Sequence, residues 1–157
     1  MASSSDLAVS EINQELGRLC SHLNGRSLNY TAQMQLWAAP DMAGEPIDEI
    51  IKSAVSKQSK LGGCTVSSTD ELIEELTACV NYDGDAGSHP SPGFANSKQG
   101  VEIVASLVQR LRNLALGGDV YSFWLTEGHP FYPVFWDFAF LVEHGPDAYV
   151  FIGSSSD

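Results

Sequence analysis

Cys64 has the most reactive local setting in the sequence. It follows two glycines in Leu61-Gly62-Gly63-Cys64-Thr65-Val66, where a flexible loop could present it. A thiol nucleophile needs a base to take its proton and a third group to orient that base. His89, His129 and His144 are the available bases, and Asp137 is the candidate orienting acid. Cys64, His89, His129 and Asp137 therefore sketch a small hydrolase or ligand-binding domain, with a pocket near Cys64, His89 and Asp137. Other features weigh against that chemistry. Cys64 also reads as a small hydrophobe beside a strand-prone Thr-Val pair, Cys79 falls on an apolar helical face, and the three histidines sit in turn-like segments. No Gly-x-Ser-x-Gly elbow or comparable nucleophile setting accompanies them.

A second chemistry is suggested by Asn81-Tyr82-Asp83-Gly84-Asp85-Ala86-Gly87. Asn81, Asp83 and Asp85 have the one-three-five spacing of calcium ligands. The match to an EF-hand fails at position six, which is Ala86 in place of glycine, and at position twelve, which is Pro92 in place of a bidentate glutamate. These three residues stand as candidates for an irregular cation loop only. Glu127, His129, Asp137, Glu143 and His144 have ligand-type side chains, but no zinc-binding spacing puts them on one face. There is no Gly-x-Gly-x-x-Gly after a strand and no phosphate loop ending in Gly-Lys-Ser or Gly-Lys-Thr, so no cofactor is expected.

Asp137 interrupts the aromatic run Phe131–Val142. Burying a lone carboxylate there is expensive, so the side chain should reach water, accept hydrogen bonds or pair with Arg110 or Arg112 from the preceding helix. The surrounding composition points to binding. From Asn113 to Asp157 there is no Lys or Arg, six acids occur, and 11 of the chain's 15 Phe, Trp and Tyr side chains are found. An aromatic sheet with an acidic rim fits a protein partner, with Trp124, Tyr132 and Trp136 as the apolar contacts and Glu127 and Glu143 on the rim.

The whole chain supports that emphasis. It has 157 residues, 20 acids against 8 Lys plus Arg, and a net charge of −12. Phosphate backbones would be repelled, so direct nucleic-acid binding is disfavoured. Imitation of nucleic acid by arrayed carboxylates is a further alternative. Cys20, Cys64 and Cys79 form no Cys-x-x-Cys pair, the N-terminus lacks a basic and apolar leader, and the longest apolar run is too short to span a bilayer. These features predict a cytoplasmic protein with no membrane association. The leading functional expectation is a non-enzymatic interaction or regulatory protein, such as an inhibitor, immunity protein or adaptor. It would bind another protein or a second copy of itself.

The elements that must position these residues follow from periodicity. Val9, Ile12, Leu16, Leu19 and Leu23 recur at helical spacing over about 7–23, and Asn24-Gly25 is a stop signal. Residues 28–39 alternate as a strand would, yet carry helix-forming residues, so both readings stand. Pro46 opens a second helix expected to run to Gly62-Gly63, with Lys57 and Lys60 in its last turn. Ser68 and Glu71 form a capping-box pattern ahead of a third helix. Residues 81–97 make a long loop, and 98–116 a fourth helix. Three strands are expected at 120–126, 132–142 and 148–152, paired in succession through turns. The expected fold is therefore α+β, with about four helices packed on a C-terminal three-stranded antiparallel meander. It is read as a single domain over 1–157 with a disordered start at 1–6 and the 81–97 loop within it.

Overall fold

The computed structural model describes residues 3–25 and 29–157. Leu28, included in the ambiguous 28–39 segment, and the first two residues of the expected disordered start lie outside these. The elements run α1 (Ser4–Leu23), β1 (Thr31–Ala39), α2 (Ile47–Ala54), β2 (Lys60–Ser67), α3 (Thr69–Val80), α4 (Lys98–Ala115), β3 (Asp119–Glu127), β4 (Trp136–His144) and β5 (Asp147–Ser156). Helix α1 begins within the stretch expected to be a disordered start. Ser3 caps it by accepting from the Asp6 N–H, and the Asp6 carboxylate accepts from the Ser3 N–H in return.

The sheet has five strands in the order β1-β5-β4-β3-β2, with every neighbouring pair antiparallel. This corrects the expected three-stranded meander. The C-terminal strands β3, β4 and β5 do lie side by side, but β1 adds outside β5 and β2 adds outside β3. Two misread segments account for the error. Residues 31–39 resolve as a strand because α1 supplies a hydrophobic layer for Ala32, Met34 and Leu36, giving strict alternation of exposed and buried positions. Helix α2 ends at Ala54, and Gly62-Gly63 lies inside β2 instead of closing that helix. Pro46 is the residue before α2, with extended backbone, and not its first helical residue.

The two sheet faces bury different clusters. Ile12, Leu16 and Leu19 of α1, Leu72 and Leu76 of α3, and Ile103, Leu107 and Leu111 of α4 pack with Phe138, Phe140 and Val142 of β4 and Phe151 of β5. The opposite face carries one helix, α2, through Ile50 and Ile51, with Met42 and Phe131 from the connections, against Phe123, Leu141, Val150 and Ile152. At Gly153 in β5 the Phe138 ring lies over the backbone so closely that a Cβ would sit 2.5 Å from it, which explains the missing side chain in a buried strand.

Candidate functional site

The candidate catalytic residues do not converge. Cys64 is exposed on β2, on the α2 side of the sheet, because its pair partner Phe123 belongs to that face. His89 lies in the long loop, where its Nδ1 is 2.8 Å from the Pro90 carbonyl oxygen. It lines a cavity of about 480 Å³ with Tyr82, Asp83 and Asp85. Neither Cys64 nor Asp137 borders that cavity. Cys20 and Cys79 are buried, and burial pushes each thiol up to about 12, which keeps it protonated and unreactive at neutral pH.

The structure does bring His129 and Asp137 together. His129 comes from the β3–β4 connection, and its Nδ1 is 3.0 Å from the Phe131 backbone nitrogen. The same Nδ1 is also 3.0 Å from the Phe131 carbonyl oxygen, and Nε2 has no hydrogen-bond partner and faces the Asp137 carboxylate at 3.7 Å. Asp137 is thus on the sheet face opposite α4. The arginines proposed as its partners are engaged elsewhere: Arg110 with Glu11, and Arg112 with Asp70 at 2.9 Å.

The calcium-type candidates lie at the end of α3 and in the loop that follows it. Asn81 is the residue closing α3, and its amide donates to the Thr77 carbonyl at 2.9 Å. Asp85 exchanges backbone hydrogen bonds with Ser88. Among the described residues no group of three or more His, Cys, Asp or Glu side chains could hold a metal ion.

The interaction candidates separate into four places. Trp136 is turned inward: its indole N–H donates to the Tyr30 hydroxyl at 2.8 Å, and its ring stacks on Phe138. Tyr132, 74% exposed, projects from the β3–β4 connection. Glu143 lies at the other end of β4, where its carboxylate accepts the Gly44 N–H. Beside it, Tyr121 has its hydroxyl pKa raised by partial desolvation and then by Glu143 and Asp119. Trp124 and Glu127 stay together on β3, with Glu127 3.3 Å from Lys60 of β2.

Trp124 belongs to a larger surface that the sequence reading did not assemble. Pairing between β3 and β4 ends at Ser122 and Phe140, and beyond that point β3 pairs with β2 alone. The outer β2–β3 ribbon therefore extends past the layer formed by α1, α4 and α3. On that uncovered side the Trp124 ring lies flat over Gly62 and Gly63, where a Cβ at Gly63 would meet it at 2.3 Å, and still leaves the residue 55% exposed. Thr65 and Ser122 hydroxyls share a 2.9 Å hydrogen bond beside it. Ser67, Ser122 and Phe140 then form one wall of a cavity of about 330 Å³, and Glu71, Glu74 and Glu75 of α3 form the other. These three glutamates have no ion-pair partner among the described residues, although five cations elsewhere do pair. The signal for this surface in the sequence was Gly62-Gly63, a pair with no side chains that becomes meaningful only once Trp124 is seen above it.

No helix among the described residues is long and apolar enough to cross a membrane. The sequence matches no family model and no curated protein. Two crystal structures of citrus MAF1 resemble the fold. The one in space group C 2 2 21 has a TM-score of 0.50 at 14% identity, covering 95% of this chain and 98% of that chain. The one in space group P 31 2 1 has a TM-score of 0.48 at 12% identity, with the same coverage of both chains. Over nearly its whole length, the chain shares the fold of citrus MAF1.

Proposed function

We propose that this is a non-enzymatic regulatory protein that binds a basic protein partner through the outer β2–β3 ribbon. The observation that carries this reading is Trp124, half-exposed on a pair of strands and two residues along β3 from Ser122, which borders the cavity lined by three α3 glutamates without an ion-pair partner among the described residues. A large aromatic held on a strand loses little entropy when covered, and its polar surroundings can select the partner. Covering the exposed half of a tryptophan removes roughly 100 Å² from water, which is worth about 2.5 kcal/mol at 25 cal/mol per Å². The net charge of −12 adds long-range attraction toward a cationic surface and a strong dependence on salt.

The experiment is capture from native extract with the wild-type protein and Trp124→Ala, each at low and high salt. A partner recovered by wild type at low salt, and lost both at high salt and with Trp124→Ala, is the expected result. Equal recovery by Trp124→Ala would refute this assignment of the binding surface.

A further inference from the structure

The sheet has two edge strands, β1 and β2, and the chain treats them differently. On β1 the outward backbone groups of Ala32 and Leu36 are met by side chains of α1 and its C-cap. Asn13 donates its amide to the Leu36 carbonyl at 2.9 Å and accepts the Leu36 N–H at 2.8 Å. Asn24 does the same for Ala32, at 3.0 and 2.5 Å. Between them the Cys20 thiol faces the backbone of Met34. Each asparagine side chain thus stands in for a neighbouring strand at alternate residues, which are the ones whose N–H and C=O point out of the sheet.

On β2 the Lys60 carbonyl accepts from the Thr126 hydroxyl of β3 at 3.4 Å, and the Asp48 carboxylate of α2 lies near the Leu61 backbone. From Gly63 to Ser67 no backbone group has a partner outside β3 among the described residues. The same stretch carries Val66, 83% exposed, and Cys64, also exposed, on one face, with Thr65 and Ser67 on the other. Exposed edges are usually blunted with charge, proline or a covering element because they template pairing. This one has none of these between Gly63 and Ser67.

We infer that the Gly63–Ser67 edge of β2 is a docking strand that takes up an extended segment of another protein by strand addition, the segment carrying Lys or Arg at alternate positions. An incoming strand lies about 4.8 Å beyond β2. Its side chains on the helical side run alongside Thr65 and Ser67, and Ser67 shares a cavity with Glu71, Glu74 and Glu75 that basic side chains would face. Those on the other side sit beside Val66 and Cys64, where β-branched or apolar residues fit. Main-chain hydrogen bonds give affinity, and the alternation gives specificity. The inference rests on the β2–β3 ribbon being the binding surface and adds how the partner is held.

The test uses the intact protein and a synthetic peptide with Lys or Arg alternating with Val or Ile, titrated by calorimetry at low and high salt. Two peptide variants carry N-methyl groups, one on the amides of the basic residues and one on those of the apolar residues. Neighbouring amides in a strand point to opposite sides, so the two variants block opposite edges of the peptide. Strand addition predicts that one methylated peptide loses binding at least tenfold and the other retains it. It also predicts that binding falls at least tenfold with Glu74→Lys/Glu75→Lys and slows hydrogen exchange in Gly63–Ser67. Binding that is lost with Trp124→Ala but indifferent to both methylation patterns would overturn strand addition while leaving the ribbon as the binding surface. Failure of the peptide to bind would overturn the inference and leave the capture experiment to judge the surface. A dimer of the protein paired through β2 in sedimentation would also overturn it, because the edge would then belong to a second copy.

Discussion

The strands β1 and β2 are both edges of one antiparallel sheet, yet one is closed and the other open. The difference lies in what runs alongside. Helix α1 packs along β1 and turns Asn13, Cys20 and Asn24 to its outward backbone groups. Helix α2 is eight residues long and packs on a face of the sheet, with its Asp48 carboxylate near the Leu61 backbone and no side chain along the outer edge from Gly63 to Ser67 among the described residues. A closed edge is a structural element and an open one is an interface waiting for a strand. The contrast teaches that binding capacity can reside in backbone groups left unpaired, without any convergence of reactive side chains.

Removing the β1 closure should have the largest effect. Asn13→Ala and Asn24→Ala each strand a backbone N–H and C=O, and each should cost about 1–3 kcal/mol of stability. Hydrogen exchange should accelerate at Leu36 in the first variant and at Ala32 in the second. Unchanged exchange at these amides would show that the asparagines do not close the edge.

Alkaline pH probes the same edge through Cys20, together with Cys79 in the core. Burial raises both thiols from 9.0 to about 12 in the folded protein. Between these values the unfolded chain has released protons that the folded chain still holds, so stability falls as pH rises from about 9 toward 12. Denaturant melts should show this loss, and Cys20→Ser/Cys79→Ser should flatten the slope whatever its own stability at neutral pH. A slope unchanged by that double substitution would remove the thiols as its cause.

Cysteine labelling compares the two edges directly. Iodoacetamide at neutral pH should modify the native protein once, at Cys64 on β2, and reach Cys20 and Cys79 only after unfolding. Mass spectrometry of the labelled peptides reads the outcome, and early labelling of Cys20 would contradict its protected place against β1. The smallest expected effect on stability is at the open edge itself. Val66→Lys should change the melting free energy by no more than about 0.5 kcal/mol, since the side chain is already in water. A large destabilisation would mean that Val66 has a folding role its exposure does not suggest.

The four helices were legible because each carries apolar residues at three- and four-residue spacing, and the three C-terminal strands because aromatics there alternate between turn signals. The outer strands were not. In 28–39 the alternation of Met34, Leu36 and Ala38 competed with good helix formers. In 57–67 the glycine pair resembled a helix stop. Among the candidate site residues, Trp124 and Tyr132 are exposed, whereas Trp136 is drawn inward by Tyr30 and Phe138. Cys64, His89 and Asp137 were linked by chemical type alone, and type carries no information about distance.

By itself the sequence determined the charge of −12, the helical stripes and the aromatic, base-free C-terminal block, because these depend on composition and short-range periodicity. Only the tertiary structure decided that β1 lies against β5 across more than a hundred residues of chain and that β2 forms the far edge. Strand neighbours are chosen by long-range hydrogen bonding and by which helices remain to cover them. The same choice places Trp124 over Gly62-Gly63, sets the glutamates of α3 across a cavity from Ser67 and Ser122, and leaves the backbone from Gly63 to Ser67 without a partner on its outer side among the described residues.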